Sequence, residues 1–317
     1  MKIVARSEND FSRAALALAA GELVAFPTET VYGLGANALD SAAVAGIFAA
    51  KSRPRFNPLI VHVHDFGAAT EYAAFSTLAE ELADAFWPGP LTLVLPRLEN
   101  CPLSPLVSSG LDTVALRSPA HKVARRLLET AQLPIAAPSA NRSGRISPTS
   151  AADVHAELGD VPAIILDGGR CPIGLESTVI RVTEDGPQIL RSGALPREEI
   201  EEVLGRKLSS FGGIEGAPLS PGQLASHYAP DSAIRLGATD PKPGEAFLTF
   251  GPDAPPFDGP TFNLSESGDL QEAAANFFHA LRALDETAAG SIAVMPIPFE
   301  GLGEAINDRL QRAAAER

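Results

Sequence analysis

The segment Pro27-Thr28-Glu29-Thr30-Val31-Tyr32-Gly33-Leu34-Gly35 carries the densest chemical signal in the chain. An apolar run halts at proline, releases hydroxyls and a carboxylate, and then turns through two glycines. Polar side chains at the end of a buried strand are held still by the sheet, as a binding site needs; a tight turn with capping hydroxyls uses the same residue types. Lys51-Ser52-Arg53-Pro54-Arg55-Phe56-Asn57-Pro58 follows a helical pattern. A cation at a helix C-terminus complements the helix dipole by about 0.3–1 kcal/mol, which accounts for Lys51. It does not account for two arginines flanked by prolines, whose fixed backbone pre-aims the guanidinium groups as a phosphate clamp requires. His62 and His64 are expected on one face of the next strand, facing substrate or solvent rather than a metal, because no carboxylate stands at matching spacing. Arg117 ends Thr113-Val114-Ala115-Leu116-Arg117, and an arginine at a buried strand end suits a bidentate grip on a carboxylate.

The pattern recurs along the chain. Ala137-Pro138-Ser139-Ala140-Asn141, followed by Arg142, Ser143, Gly144 and Ser147, sets hydroxyl and amide groups after a short apolar run. Ser177-Thr178 opens another run and Leu190-Arg191-Ser192-Gly193 closes one. Each alone reads as turn chemistry, but the repetition points to one shared pocket. No nucleophile–His–Asp set and no activated cysteine stands out, so the chemistry implied is positioning and charge neutralisation. Gly33-Leu34-Gly35-Ala36-Asn37-Ala38 matches a loose dinucleotide fingerprint, yet Arg53 and Arg55 stand where a ribose-binding acid belongs. A nicotinamide oxidoreductase is therefore disfavoured. The Lys51 segment is not a Walker A loop either, with Ala45 and Ala50 in the glycine places. ATP bound here would be held by side-chain cations.

These groups need a scaffold, and the periodicity supplies one. Asn9 or Asp10 is expected to cap a helix running to Gly21, and Glu22–Phe26 to form a buried strand. Ser41 is expected to cap a second helix, followed by strands at Leu59–Val63, Leu91–Leu95, Thr113–Leu116, Ile135–Ala137, Ala163–Leu166, Thr178–Val182 and Gln188–Leu190. Helices fit Leu78–Phe86, Ala120–Ala131, Ala151–Leu158 and Glu198–Leu204. This is an α/β domain with one large twisted mixed sheet, since some connections are too short for crossover helices. Residues 206–230 lose all periodicity and are rich in glycine and proline, as a linker or functional loop would be. Beyond them, strands at Ala233–Leu236, Ala246–Phe250 and Ile292–Met295 and helices at Leu270–Thr287 and Leu302–Ala314 predict a smaller α/β Rossmann-like unit. The expected division is 1–205, a linker or lid at 206–230, and 231–317.

The chain has 317 residues and a net charge of −14, split as −7 on residues 1–205 and −7 on 206–317. Neither half is a dedicated nucleic-acid binder by charge, so anionic ligands require a local cation cluster such as Lys51, Arg53 and Arg55. No apolar run reaches membrane-spanning length, and Met1–Arg6 leads into no signal-peptide core. Cys101 and Cys171 have no metal-ligand spacing, and a reducing, cytoplasmic compartment is expected.

Four motifs in order, PTETVYGLGA at 27–36, Lys51-x-Arg53, Ser139-x-Asn141 and SPG…HYAP over Ser220–Pro230, resemble the YrdC-type threonylcarbamoyl-AMP synthases, in their two-domain form with an additional C-terminal domain. The resemblance implies a YrdC-like fold and a reaction joining L-threonine, bicarbonate or CO2 and ATP. It implies that Lys51 and Arg53 are the catalytic, triphosphate-binding pair, with Asn57 nearby and Mg2+ sharing the phosphate charge. Thr113, Ser139, Asn141, Ser147 and Arg191 resemble further ATP contacts. Thr30, His62, Arg117 and Ser177 resemble the threonine set, with Arg117 on the carboxylate and Ala137 contributing backbone only. In the family the linker folds over the site, which places Tyr228, with His227 beside it, on the nucleotide. One departure is Gln223-Leu224-Ala225-Ser226, where many relatives carry a basic, tyrosine-containing stretch.

The product would feed a separate tRNA threonylcarbamoyl transferase machinery, without direct tRNA binding by this chain and without a membrane. Two other readings remain open at this point: a YrdC-like double-stranded RNA-binding module, and a carbamoyl-transfer maturation enzyme of the kind used for hydrogenases. The acidic charge disfavours the first, and the absence of zinc-finger or acylphosphatase-like modules disfavours the second.

Overall fold

A computed structural model describes residues 2–4, 7–183, 186–210, 220, 227–287 and 289–315. Among them, eleven strands form one mixed sheet. Across it run Lys2–Val4, Ile164–Asp167, Val24–Pro27, Tyr32–Asn37, Ile135–Ala136, Ile60–His62, Thr113–Arg117, Leu91–Pro96, Thr178–Thr183, Gly186–Arg191 and Ser209–Ser210. The central strands are apolar on both faces because helices cover them, which makes their sequence read as short continuous runs rather than alternation. Helices Glu8–Ala19 and Lys122–Ala131 pack on Val24, Phe26, Ile135 and Leu166, whereas Ser41–Lys51 and Thr77–Phe86 cover Val61, Leu93 and Leu116.

The elements expected from periodicity are present, with changes at their ends. Ser7 caps the first helix instead of Asn9 or Asp10, accepting from the Asp10 N–H, and Asp40 rather than Ser41 caps the second. The larger correction lies at 32–37, where the glycines do not turn the chain. The turn is made earlier, by Thr28 Oγ1, which accepts from the N–H groups of Thr30 and Val31 and donates to the Val31 carbonyl. Tyr32–Asn37 then runs back antiparallel to Val24–Pro27. Gly35 serves close packing: a Cβ there would lie 2.8 Å from both Ile135 and Phe26 side-chain atoms, which is how a glycine earns a place inside a strand.

A second sheet of four parallel strands, in the order Ala233–Arg235, Ser291–Val294, Glu245–Thr249, Thr261–Asn263, packs against helices Leu270–Asp285 and Leu302–Ala314. The Thr261–Asn263 strand escapes sequence reading because it is three residues long and partly exposed. The two units share a core. Val31, Ile146, Leu175 and Ala194 from the first join Phe277, Phe278, Ile306 and Leu310 from the second in one buried cluster. Each phenylalanine buried there contributes roughly 1.5–3 kcal/mol. Ion pairs flank this cluster, with Arg282 meeting Glu157 at 3.1 Å and Arg197 meeting Glu304 at 3.0 Å. Of the linker, residues 211–219 and 221–226 lie outside the described residues.

Gly174 is a point of close approach between the units. Its φ is 76°, and a Cβ would sit 2.6 Å from the Ala274 carbonyl oxygen. Gly174→Ala is expected to destabilise the protein by about 1–3 kcal/mol through forced separation and left-handed backbone strain. Urea denaturation checks this, and an unchanged midpoint would count against a shared core.

Candidate active site

Parallel pairing sets His62 opposite Arg117 at adjoining strand ends, and the turn after Val24–Pro27 meets them. Arg117 donates from Nε to the Gly89 carbonyl (3.1 Å), from Nη1 to Thr30 Oγ1 (2.9 Å) and from Nη2 to Glu29 Oε1 (2.5 Å). The other Glu29 oxygen accepts from the N–H groups of Ala120 and His121. Both partners of this ion pair are buried. Burial pushes the Glu29 carboxyl upward, but the Arg117 charge and the converging N–H groups outweigh it and hold the group below its ordinary 4.5. Sequence reasoning assigned Glu29 no role; the available signal was a lone acid among hydroxyls at a strand end.

The cation segment behaves differently from a simple clamp. Lys51 ends its helix, Ser52 turns the chain with φ 50°, and the Lys51 side chain is 1% exposed. Its ammonium donates to the carbonyls of Ser139 (2.6 Å) and Asn141. Burial, then the neighbouring Arg53, push its pKa well below the ordinary lysine value. Lys51 thus stands behind the cavity wall and braces the Ser139–Asn141 loop. Arg53 lines the cavity. Its Nε and Nη2 hold the carbonyls of Asn57 and Pro58 at 3.2 and 2.9 Å, leaving Nη1 without a protein partner among the described residues. Burial brings Arg53 down to about 10, still cationic at neutral pH. Arg55 is exposed and does not join the cluster.

Around these groups lies a cavity of about 50 Å³, lined by Thr28, Thr30, Val31, Gly33, Arg53, Ile60, His62, Arg117, Ala137, Pro138, Ser139, Glu176, Ser177, Arg191, His227 and Tyr228. Nine of the expected residues therefore meet here: Thr30, Arg53, His62, Arg117, Ala137, Ser139, Ser177, Arg191 and Tyr228. Lys51, Asn57, Asn141 and Ser147 are buried but do not line it. Thr113 is not brought to it. It begins the strand whose far end carries Arg117, and it lines a separate depression with Asp112 and Arg181. His64 lies past the strand end and pairs with Asp65 at 3.1 Å, away from His62.

Among the described residues, several polar atoms here are buried without a hydrogen-bond partner: both amide atoms of Asn57, Asn141 Oδ1, and Nδ1 of His62 and of His227. Each such atom costs about 1–3 kcal/mol, so their grouping behind and around one cavity marks it as a place built for polar partners. Glu176, unassigned from sequence, accepts from Ser147 Oγ (2.5 Å) and from Arg309 Nε (3.0 Å). Arg191 donates to the Ser177 carbonyl from Nε (3.2 Å) and Nη2 (2.8 Å). Tyr228 is fully buried with φ 63°, a left-handed conformation that costs a non-glycine residue about 1–3 kcal/mol and persists where surroundings enforce it. Its ring contacts His227 and Phe278, and the Arg309 guanidinium lies 5.0 Å from its centroid. Nothing in the sequence distinguishes Arg309 from an ordinary amphipathic-helix arginine.

Larger depressions, of about 740 Å³ beside Trp87 and about 660 Å³ beside His121, are lined by none of the unpartnered buried atoms. Among the described residues no grouping of His, Cys, Asp and Glu could hold a metal ion.

Burial pushes the His62 ring down to about 3, with Arg117 adding to the effect, and burial pushes His227 well below its ordinary 6.5. Below pH 6.5 the unfolded chain takes up protons at these rings while the folded chain does not. Stability is therefore expected to fall as pH drops through this range, by up to about 1.4 kcal/mol per pH unit for each ring. Loss of the Glu29 carboxylate adds to the fall below about pH 4.5, its ordinary value being 4.5. Urea unfolding across pH checks this, and His62→Gln with His227→Gln should flatten the upper part; an undiminished slope would exclude them as its source.

The family model for Sua5, YciO and YrdC proteins, described as telomere recombination, matches residues 16–193, and one described as the threonylcarbamoyl-AMP synthase C-terminal domain matches 195–315. The threonylcarbamoyl-AMP synthase of Pyrococcus abyssi (strain GE5 / Orsay) is 43% identical, covering 94% of this chain and 92% of the relative. That of Bacillus subtilis (strain 168) is 40% identical, over 98% and 95%. The crystal structure of P. abyssi Sua5 complexed with L-threonine matches with a TM-score of 0.91 at 41% identity, covering 99% of this chain and 97% of that one. E. coli YciO, 20% identical with a TM-score of 0.55, shares the fold over 61% of this chain and 93% of its own. With both units matched, the chain belongs to the Sua5, YciO and YrdC family, in the form that carries the additional C-terminal domain.

Proposed function

We propose that the chain is an L-threonylcarbamoyladenylate synthase, an adenylyl-transferring enzyme that converts L-threonine, bicarbonate or CO2 and ATP to threonylcarbamoyl-AMP and pyrophosphate. One observation carries the reading: Arg53, Arg117, Arg191, Thr30, Ser139, Ser177 and His62 line one cavity together. Near-full-length likeness to synthases of that name supports it.

In this reading the threonine amine loses a proton and adds to CO2. The resulting carbamate oxygen forms a bond to the α-phosphorus of ATP while the bond from that phosphorus to the pyrophosphate oxygen breaks. Arg117 orients the threonine carboxylate through N–H groups that its bonds to Thr30, Glu29 and Gly89 leave available. Because Glu29 already cancels its charge, the grip is directional rather than a net pull. His62 stays neutral, so it adds no charge beside the threonine amine. Arg53 and Arg191 neutralise the phosphates in a desolvated site, where such interactions count most, and Lys51 fixes the loop that carries Ser139 and Asn141. Mg2+ would arrive on the triphosphate; the unpartnered oxygens of Asn57 and Asn141 are hard donors suited to it or to its waters.

A nucleotide needs a pocket of several hundred Å³, far more than the about 50 Å³ enclosed here. Residues 206–230 therefore act as a lid between a catalytic unit, 1–205, and the unit at 231–317. His227 and Tyr228 withdraw to admit ATP and return to shelter the carbamate from water. The product supplies a separate tRNA threonylcarbamoyl transferase, and the compartment is the cytoplasm.

Mass spectrometry after incubation with ATP, threonine and labelled bicarbonate is expected to show labelled threonylcarbamoyl-AMP, with pyrophosphate release requiring both co-substrates. Equal release without either one would sink the reading. Arg53→Ala is expected to lower the rate by roughly tenfold or more, about 1.4 kcal/mol of barrier.

A further inference from the structure

We infer that Arg309, in the last helix, is a positioning residue for the nucleotide half of the site, so that the C-terminal unit sets the cavity geometry; this rests on the synthase reading above. Arg309 is fully buried, and it does not line the cavity. It reaches two residues that do. Its Nε donates to Glu176 Oε2 at 3.0 Å, and its guanidinium carbon lies 5.0 Å from the Tyr228 ring centroid. Its Nη2 donates to the Ser192 carbonyl at 2.8 Å, one residue after Arg191, and Nη1 pairs with Asp308. Glu176 in turn fixes Ser147 through its second oxygen.

The same helix and a loop of the first unit hold the main chain around Tyr228. The His227 N–H donates to the Arg312 carbonyl at 3.2 Å, and the Ala229 N–H to the Gly144 carbonyl at 2.8 Å, clamping Tyr228 in its left-handed conformation from both sides. For stability alone, an apolar residue of similar volume usually serves as well as a buried ion pair. An arginine that links a cavity carboxylate, a strand-end carbonyl and a ring face is better explained by geometry than by packing. Through these contacts it bears on Tyr228, on Ser147 by way of Glu176 and on the main chain beside Arg191, all assigned to ATP, and none of its bonds reaches Thr30, His62 or Arg117.

The test compares full-length wild type, Arg309→Met and Arg309→Lys, using KM for ATP, KM for threonine, and amide hydrogen exchange. Arg309→Met should raise KM for ATP roughly tenfold or more, leave KM for threonine within about twofold, and speed exchange at His227 and Ala229 roughly tenfold. Arg309→Lys keeps a charge for Glu176 but loses the second fork to Ser192, and should shift each quantity in the same direction by less. If the methionine variant does not fold, the lysine variant alone decides. Unchanged exchange at both amides overturns the inference. So does a parallel rise in both KM values with faster exchange throughout the helix, which is the mark of a merely structural residue. A wild-type chain that releases no pyrophosphate would remove the synthase reading, while the exchange comparison would still decide the role of Arg309.

Discussion

Positive charge buried beyond what nearby carboxylates neutralise is the constraint around which this molecule is organised. Arg117 and Arg309 each have a glutamate. Lys51 and Arg53 have only carbonyl oxygens among the described residues. Taking such groups out of water costs several kcal/mol apiece after relaxation, and a structure tolerates that where a polyanionic ligand completes the balance. The sheet supplies the rigidity that keeps the charges from turning outward. Strand ends fix Arg117, His62 and Arg191, and main-chain carbonyls tether the cations from loops.

The second unit answers a related problem. A loop bearing Tyr228 in a strained conformation cannot hold itself, and the last helix holds it through its main chain and through Arg309. Site and packing are thus connected directly. Four residues that line the cavity, Val31, Glu176, His227 and Tyr228, also contact the second unit, and the shared apolar cluster begins at Val31, within the turn that carries Thr30.

Much of this was legible in the residues. The central strands and the long helices announced themselves through apolar runs bounded by glycine, proline and capping groups, and hydroxyls at successive strand ends pointed to one pocket. What stayed hidden had physical reasons. Tyr32–Asn37 reads as a turn because its glycines look like breaks, whereas they relieve a close approach to Ile135 and Phe26. Thr113, taken as an ATP contact from the family resemblance, stands at the strand end opposite Arg117 and lines a separate depression. Glu29, Glu176 and Arg309 depend on partners 88, 29 and 133 residues away, and single-chain patterns are blind to such distances. The resemblance to a family bridged part of that gap, for Ser177 and Arg191, but not for the acids that hold the cations in place.

The joint core also bears on how the chain is made. Until the helix at Leu302–Ala314 has left the ribosome, the first unit has no cover for Val31, Ile146, Leu175 and Ala194, and Arg309 has not reached Glu176. An uncovered apolar patch attracts other chains. Assembly of this protein is therefore exposed to aggregation in the interval between completion of its large sheet and emergence of the helix at Leu302–Ala314. Helper factors that shield nascent chains would find their target there.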